Sequence, residues 1–129
     1  DYLNRIVTRR AVVFFISDFQ APDFSRALAV SGQRHDVIAI HIRDERERVL
    51  PNIGRITLED AETGDQIEIN TADRKTRALF MDAVHGRETE LSRTLRRNNI
   101  DAIALQTGKD YLPALRSFFK QRERRIGVR

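Results

Sequence analysis

The chain of 129 residues is long enough for one compact domain with its own hydrophobic core and too short for two. Hydrophobic residues make up 40% and charged residues 33% of the chain, a balance typical of soluble globular proteins. The absence of cysteine excludes disulfides, thiolate catalysis and cysteine zinc sites. No apolar run approaches the roughly 18 residues that a membrane span needs, and no signal-peptide pattern opens the chain. We therefore expect a cytoplasmic domain.

The formal net charge of +4 suggests a nucleic-acid partner as a first hypothesis. However, the 19 acidic residues are interleaved with the basic ones, most clearly in residues 43–48, which read RDERER. Mixed-sign runs are typical of solvated surfaces rather than of phosphate-binding grooves. The candidate contacts lie on the long helix predicted below and are Arg74, Lys75, Arg77, Arg93, Arg96 and Arg97. These positions wind round the helix instead of lining one face, so we predict no nucleic-acid partner.

Two short apolar runs predict buried strands with a helix between them. Residues 11–16 (AVVFFI) and 37–42 (VIAIHI) are too short for independent helices and read as strands buried on both faces. Pro22 is predicted to open the intervening helix, and Gly32 sits where a C-cap glycine belongs. Residues 1–8 read as the end of a helix that begins before them. The order strand, helix, strand indicates a βαβ unit with parallel strands.

The next segment is predicted to be an inserted β-hairpin. Apolar and polar residues alternate on both sides of a turn at residues 63–65 (TGD), a pattern typical of paired strands. The alternating apolar residues are Ile56, Leu58, Ile67 and Ile69. This alternation predicts one covered and one exposed face. We interpret the hairpin as an addition to the parallel sheet.

A long amphipathic helix is predicted from about Ala72 to Arg97, with Asn70 or Thr71 as its N-cap. Its apolar stripe has the period of a helix packed on one side and consists of Phe80, Val84, Leu91 and Leu95. Asn98-Asn99 is expected to end the helix. The third parallel strand is then predicted at residues 100–105.

Asp110 can cap a final amphipathic helix whose inward-facing residues are Leu112, Leu115 and Phe119. The predicted fold class is therefore α/β, with three layers: a short parallel sheet of about three strands, helices on both faces and the inserted β-hairpin. No linker or internal repeat interrupts the sequence. We expect a single domain over residues 1–129.

The first strand creates a difficulty for a sheet of only three strands. A strand that is apolar on both faces along its whole length normally lies inside a sheet, because an exposed flat edge promotes aggregation. Two solutions follow. Either more strands precede residue 1 in the parent protein, so that this chain is part of a larger domain, or a second copy of the chain covers the edge as a homodimer.

Ligands of open parallel sheets bind beyond the carboxyl ends of the strands. We expect this end of the sheet to carry Ser17 and Asp18 after the first strand. The other candidate contacts follow the second and third strands and are Arg43, Asp44, Gln106, Thr107, Lys109 and Asp110. A carboxylate and hydroxyls at strand tips can serve Mg²⁺, which prefers oxygen ligands and keeps several waters. The alternative is that Ser17 and Asp18 form an ordinary turn or helix cap.

The sequence carries no signature of catalysis. The three histidines share no metal-ligand spacing, and His41 reads as a core or edge residue of its strand. The six glycines are scattered, and no Gly-x-Ser-x-Gly elbow occurs. We therefore predict that the chain is not an enzyme. The alternative hypothesis is a small metal-dependent hydrolase or nuclease in which Asp18, Asp44 and Asp110 converge across the strand tips.

Several segments resemble one bacterial family. Residues 9–19 (RRAVVFFISDF) are similar to the central strand of domain of unknown function family 58. The resemblance continues through residues 34–40 (RHDVIAI), 44–51 (DERERVLP) and 60–64 (DAETG), and it covers most of the chain. It implies a von Willebrand factor A-like, Rossmann-like domain of a kind often encoded beside MoxR-type AAA+ ATPases.

The resemblance also implies a role for the strand tips. A von Willebrand A domain holds its metal with an Asp-x-Ser-x-Ser loop on its first strand, a threonine from a later loop and an aspartate after its fourth strand. Ser17-Asp18 corresponds only to the last of these, so the other ligands would precede residue 1. We expect an incomplete metal-ion-dependent adhesion site, with Mg²⁺ bound only by the full-length domain. The implied function is a non-enzymatic protein-interaction module that acts with a MoxR-type AAA+ ATPase, in a parent protein that upstream segments could anchor to a membrane.

Overall fold

The computed structural model describes residues 2–20, 24–60 and 63–127. In chain order the elements are α1 (Tyr2–Ile6), β1 (Val12–Ser17), α2 (Phe24–Arg34), β2 (Asp36–Arg43), a 3₁₀ turn (Glu45–Glu47), β3 (Arg55–Glu59), β4 (Gln66–Asn70), α3 (Arg74–Arg97), β5 (Asp101–Gln106) and α4 (Leu112–Ile126). The predicted α/β class is confirmed. None of the helices within the described ranges is long and apolar enough to cross a membrane.

The chain forms two compact units. The first, which we call the sheet unit, combines Asp1–Asp44 with Glu90–Arg129, and the second, the hairpin unit, is Glu45–Thr89. The boundary between them falls inside α3, because the first turns of this helix belong to the hairpin unit and its last turns to the sheet unit. The expectation of a single domain over residues 1–129 stays a prediction.

The sheet unit is built on three parallel strands in the order β1-β2-β5. β2 is the central strand, since Ile38 lies opposite Phe14 of β1 and Ile40 lies opposite Ile103 of β5. Parallel neighbours need a crossover connection, and α2 supplies it between β1 and β2. The predicted short parallel sheet is therefore confirmed.

One face of this sheet is covered by α2 and by the C-terminal part of α3. Val37 and Ala39 of β2 form a buried cluster with Leu28 of α2 and with Leu91 and Leu95 of α3. Burying a leucine side chain contributes about 1.5–3 kcal/mol, so this face contributes strongly to stability. The half-buried residues packed against the cluster are Val13, Phe15, Phe19 and Phe24.

The opposite face of the sheet is covered by α4. Its buried cluster consists of Ile38, Ile40 and Ile103, and the half-buried side chains packed against it include Ala114, Leu115 and Phe118 of α4. Leu115 therefore faces inward as predicted. Leu112 and Phe119 do not, because the inner stripe of α4 runs through Leu115 and Phe118 and leaves these two residues at its exposed flank.

The prediction that β1 is buried on both faces is wrong. β1 lies at the edge of the sheet, and the cluster beneath α4 is formed by β2 and β5. The side chains of β1 on that face are consequently exposed, Val12 by 56%, Phe14 by 47% and Ile16 by 66%. Phe119 of α4 gives partial cover, with its ring centroid 6.4 Å from that of Phe14. The burial of a strand depends on which elements pack beside it, and these cannot be predicted from the composition of the strand alone.

The prediction that Gly32 is a C-cap is also wrong, because α2 continues to Arg34. Gly32 instead allows close packing of α2 against Asn98 and Ile100. A Cβ atom at this position would lie 3.3 Å from the carbonyl oxygen of Asn98 and 3.5 Å from Cγ1 of Ile100. Glycine therefore lets α2 approach the link between α3 and β5. Pro22, the predicted helix start, lies outside the described residues.

The long helix α3 occupies the predicted span, but its N-cap is Asp73. The Asp73 carboxylate accepts hydrogen bonds from the backbone N–H groups of Lys75 (3.1 Å) and Thr76 (3.3 Å). Thr71, one of the two predicted caps, is fully buried instead, and its hydroxyl donates to the carbonyl oxygen of Gly54 at 2.7 Å. The nearer aspartate takes the capping role because its oxygens reach two N–H groups of the first turn.

The C-terminus of α3 is closed by a Schellman motif. Asn99 adopts a left-handed φ of 53°, its N–H donates to Arg96 O at 3.1 Å, and the N–H of Ile100 donates to Leu95 O at 2.9 Å. Asparagine tolerates this backbone region better than other non-glycine residues. The predicted helix end at Asn98-Asn99 is therefore confirmed. The predicted apolar stripe forms a less exposed side of the helix through Phe80, Val84, Leu91 and Leu95.

The predicted β-hairpin is confirmed by the antiparallel pairing of β3 and β4. Ile56 lies opposite Ile69, and Leu58 lies opposite Ile67. The first pair is half-buried and the second is exposed, so the covered face extends only along the base of the hairpin. Asn70, the other predicted cap of α3, ends β4 and accepts a hydrogen bond from the backbone N–H two residues later.

An ion-pair cluster joins α4 to the N-terminal ends of β2 and β5. Arg122 donates hydrogen bonds to Asp36 and, at 2.8 Å, to Asp101. Arg125 adds contacts of 3.0 and 3.1 Å to Asp101. The Arg122 side chain is only 15% exposed, so these pairs are less screened by water than ordinary surface pairs.

We predict that Arg122→Ala lowers the free energy of unfolding by about 2–3 kcal/mol, because two neighbouring carboxylates lose their shared counter-charge. The matched control is Arg124→Ala, which removes an exposed arginine from the same helix and should change stability by less than about 0.5 kcal/mol. Urea unfolding followed by circular dichroism measures both. Equal effects of the two substitutions would contradict the role assigned to Arg122.

The cap at Asp73 predicts a pH-dependent contribution to stability. Hydrogen bonds from the Lys75 N–H foremost, and then from the Thr76 hydroxyl, hold the pKa of Asp73 below its ordinary value of 3.8. Because folding lowers this pKa, the contribution is complete above about pH 4 and is lost as the pH falls through the lowered value.

We expect Asp73→Ala to lower the melting temperature by a few degrees at neutral pH, because the first turn of α3 loses its cap. Asp73→Asn keeps a capping oxygen but cannot titrate, so its melting temperature should depend less on pH in the acid range. Thermal unfolding followed by circular dichroism from neutral to acid pH separates the two effects. An unchanged acid dependence in Asp73→Asn would show that other groups cause it.

Candidate functional site

The C-terminal ends of β1, β2 and β5 lie along one edge of the sheet, which we call the rim. Ser17 ends β1 and Asp18 follows it, and both side chains are exposed. Ser17 Oγ accepts the backbone N–H of Phe19 at 3.0 Å, and Asp18 Oδ1 accepts that of Gln20 at 3.2 Å. The two side chains thus shape a tight turn of the kind that serine and aspartate favour.

Phe19 holds this turn in an uncommon backbone conformation. Its φ is 56°, a left-handed value that is rare for a bulky residue and costs about 1–3 kcal/mol. The Phe19 ring packs on the sheet core, with its centroid 5.4 Å from that of Phe24 and 5.8 Å from that of His41. These ring contacts offset the strain and fix the position of the exposed Asp18 directly before it.

His41 lies beside Phe19 near the end of β2. It is half-buried, and its Nδ1 accepts a hydrogen bond from Nε of Arg43 at 3.3 Å. The sequence did not identify His41 as a rim residue. The sequence feature that could have identified it is its spacing from Arg43. Residues two apart in a strand lie on the same face, so His41 and Arg43 share one face of β2.

The rim residues after β5 are held by their own hydrogen bonds. The N–H and Oγ1 of Thr107 both donate to the carbonyl oxygen of Arg43, each at 2.8 Å, which fastens the tip of β5 to that of β2. Asp110 Oδ1 accepts the N–H of Leu112 at 3.0 Å, but the N-cap of α4 is Tyr111, so the predicted cap at Asp110 lies one residue too early. Lys109 stands exposed between them. Thr107 and Asp110 therefore shape the rim, and Lys109 adds an exposed cation.

The rim does not fit a complete Mg²⁺ site. Within residues 2–20, 24–60 and 63–127, no three His, Cys, Asp or Glu side chains are placed to hold a metal ion together. Asp18, Asp44 and Asp110 all belong to these ranges, so the convergence that the hydrolase hypothesis requires is not formed. Ser17 and Asp18 supply one hydroxyl and one carboxylate, too few for a cation that takes about six oxygen ligands.

The basic residues of α3 include some with structural roles. The guanidinium of Arg77 donates to the carbonyl oxygens of Thr71 at 2.6 Å and Ala72 at 2.9 Å, and so folds back onto the start of its own helix. Arg93 pairs with Glu90 at 3.7 Å. These contacts are those of a solvated helix surface. The expected absence of a nucleic-acid partner stays a prediction.

Comparisons with known proteins place the chain among bacterial relatives. A family model described as "Protein of unknown function DUF58" matches residues 1–90. An uncharacterized protein of Mycobacterium avium is 36% identical over 125 residues, which make up 96% of this chain and 73% of that protein. Uncharacterized proteins of Mycobacterium tuberculosis and Mycobacterium bovis are each 34% identical over 125 residues, and there the chain spans 39% of the relative's length. No solved structure matches the chain significantly.

We predict that this chain alone binds Mg²⁺ negligibly, because Ser17 and Asp18 leave most of the coordination shell to water. Isothermal titration calorimetry with magnesium chloride should show only heats of dilution. Asp18→Asn should give the same trace as the unchanged chain. A saturable site at micromolar Mg²⁺ that disappears in Asp18→Asn would overturn this prediction.

Proposed function

The chain belongs to the DUF58 family, and on that premise we propose that it is a non-enzymatic protein-interaction module that docks a partner protein at the rim. The module would form part of a von Willebrand factor A-like domain, the architecture that the family resemblance implies. The partner that the resemblance favours is a MoxR-type AAA+ ATPase. The proposed setting is the cytoplasm, which suits a chain without cysteine.

The observation that carries this proposal is the presentation of Asp18. Its carboxylate is exposed directly after β1, and the ring of the left-handed Phe19 that follows it packs against Phe24 and His41. Strained residues persist where the surrounding structure overdetermines them, and they cluster at binding sites. A fixed, exposed carboxylate can meet a basic group of a partner without first losing conformational freedom.

The hydrogen bonds of the rim favour binding over catalysis. Ser17 Oγ is bonded to Asp18 Oδ1 and to the Phe19 N–H, so it is engaged in the turn instead of being activated by an imidazole. Nδ1 of the nearby His41 is occupied by Arg43. A nucleophile paired with a base is the usual signature of covalent catalysis, and these contacts do not supply one.

The exposed charges of the rim suit a protein surface. Asp18 on the β1 tip and Lys109 after β5 have opposite signs, and both are exposed. Two opposite charges on one edge favour a partner that places a basic group opposite Asp18 and an acidic group opposite Lys109. Such complementarity raises the specificity and the association rate of binding more than its affinity.

We expect Asp18→Asn to weaken capture of the purified MoxR-type ATPase by the immobilised chain about tenfold, because the fixed carboxylate is lost while the shape of the side chain is kept. The matched control is Asp82→Asn, which removes an exposed aspartate from α3 and should leave capture unchanged. Surface plasmon resonance at low and high salt, with Mg²⁺ or with a chelator, measures the affinities.

Equal capture by the unchanged chain, Asp18→Asn and Asp82→Asn would overturn docking at the rim. Failure of the unchanged chain to capture the ATPase, either alone or as part of a longer family protein, would overturn the choice of partner. Turnover of a phosphate ester that is lost in Asp18→Asn would overturn the non-enzymatic assignment.

A further inference from the structure

Helix α4 carries a line of exposed side chains on the side that faces away from the sheet. Its members are Leu112, Arg116, Lys120 and Arg124, which we call the α4 stripe. Successive members are four residues apart, so each lies about 6 Å further along the helix and about 40° further round it than the one before. The stripe is therefore a nearly straight row of one apolar side chain and three cations.

The cations of the α4 stripe are not used inside the chain. Two other arginines of this helix, Arg122 and Arg125, are held by aspartates at the ends of the sheet strands. By contrast, the side chains of Arg116, Lys120 and Arg124 take part in no ion pair and no hydrogen bond within the described part of the chain. Three aligned positive charges are thus available to another molecule.

The α4 stripe has an apolar end. Leu112 is 47% exposed, and Tyr111 directly before it is 56% exposed. Protein interfaces combine apolar and aromatic anchors with arginine, whereas isolated surface charges contribute little affinity. Tyr111 and Leu112 supply such an anchor at one end of the row of cations.

The buried side of α4 argues against a membrane surface as the occupant. A helix that binds a membrane surface inserts its apolar face into the lipid. In α4 the residues of that face, Ala114, Leu115 and Phe118, pack on the core of the sheet unit. The same packing holds the helix in place, so the stripe meets a partner without first losing conformational freedom.

Glu123 favours a protein over a nucleic acid. It is exposed and lies three residues after Lys120, so it stands beside the α4 stripe. A phosphate backbone is negative along its whole length and would be repelled by this carboxylate. A protein can instead place a basic side chain opposite Glu123 and acidic side chains opposite the three cations.

The spacing of the cations indicates which kind of protein segment fits. Acidic residues four apart on a helix are also about 6 Å apart, so three of them can face Arg116, Lys120 and Arg124 together. A strand repeats the same face every 6.6 Å or so, and it loses register with each further pair. We propose that the α4 stripe docks a helix of a partner protein that carries acidic residues four apart, with an apolar residue against Leu112.

A synthetic helical peptide tests this proposal. The peptide is alanine-based, carries three glutamates four residues apart, and has a leucine four residues beyond each end of the glutamate row. The control peptide has the same composition with glutamates five residues apart, which wind round the helix. In nitrogen-15 chemical-shift titrations at low salt, we expect saturable shifts in α4 and at least about tenfold weaker binding of the control peptide.

We expect Lys120→Glu to raise the dissociation constant of the peptide about tenfold, because the central cation becomes an anion that faces a glutamate. The matched control is Arg87→Glu, which makes the same change of charge at an exposed position of α3 and should leave binding unchanged. The nitrogen-15 spectra also show whether each variant is folded.

Exchange of the central charges tests the alignment of the two helices. A peptide whose central glutamate is replaced by lysine should bind the unchanged chain about tenfold more weakly. The same peptide should bind Lys120→Glu with the original dissociation constant, because the two opposite charges then face each other again. Absence of this recovery would overturn the alignment.

The proposal would be overturned by the absence of saturable shifts, by equal binding of the two glutamate peptides, or by equal effects of Lys120→Glu and Arg87→Glu. Tighter binding of a short DNA duplex or of phosphatidylserine vesicles, lost in Lys120→Glu, would assign the stripe to phosphate groups instead. Self-association lost in Lys120→Glu would assign it to a second copy. Binding by this chain but not by a longer family protein would assign it to another segment of that protein.

The α4 stripe does not rest on docking at the rim, and the two can fail separately. Asp18→Asn should weaken capture of the ATPase and leave peptide binding unchanged. Lys120→Glu should weaken peptide binding and leave capture of the ATPase unchanged. Loss of both activities in either variant would show that the two surfaces are one site and would overturn their separation.

Discussion

The burial of β2 on both faces is the interaction on which the sheet unit depends. The strand lies between β1 and β5, one face lies against α2 and α3, and the other lies against α4. The helices α2 and α3 pack on Val37 and Ala39 of β2. The helix α4 packs on the cluster that β2 forms with Ile103 of β5. The remaining features follow from this arrangement, because strands at the two sides receive less cover than the one in the centre. β1 is covered on one face, and on its other face Val12, Phe14 and Ile16 are largely exposed.

The sequence predicted the kind and order of the elements well, because apolar periodicity reports burial along a segment. It could not distinguish the edge strand β1 from the central strand β2, since both contain a continuous apolar run and their burial depends on their neighbours. Of the predicted helix ends, the end of α3 was correct and the end of α2 was wrong. Asn99 closes α3 because asparagine tolerates a left-handed backbone, whereas Gly32 is required by a close approach to Asn98 that no local pattern shows. Long-range contacts therefore mark the limit of prediction from local sequence.

The rim itself could be predicted, because the carboxyl ends of parallel strands always lie at one edge of a sheet. The positions of Ser17, Asp18 and Thr107 at this edge follow from that rule alone. The left-handed Phe19 and its contact with His41 could not be predicted, since they depend on side chains from different elements meeting in space. The same limit applies to Asp18, Asp44 and Asp110, which the rule brings to one edge although the three do not form a group that could hold a metal ion.

The two connections of the sheet differ greatly in length, and this difference bears on how the chain folds. A single helix links β1 to β2, whereas the entire hairpin unit and the rest of α3 separate β2 from β5. Bringing β5 next to β2 closes a long loop, and this lowers the conformational entropy of the chain before the strands make any stabilising contact. The entropic cost rises only slowly with loop length. An inserted segment whose strands β3 and β4 pair locally can order first and shorten the span that remains to be closed. We expect the docking of β5 beside β2 to limit the rate of folding, because this pairing has the largest sequence separation in the sheet.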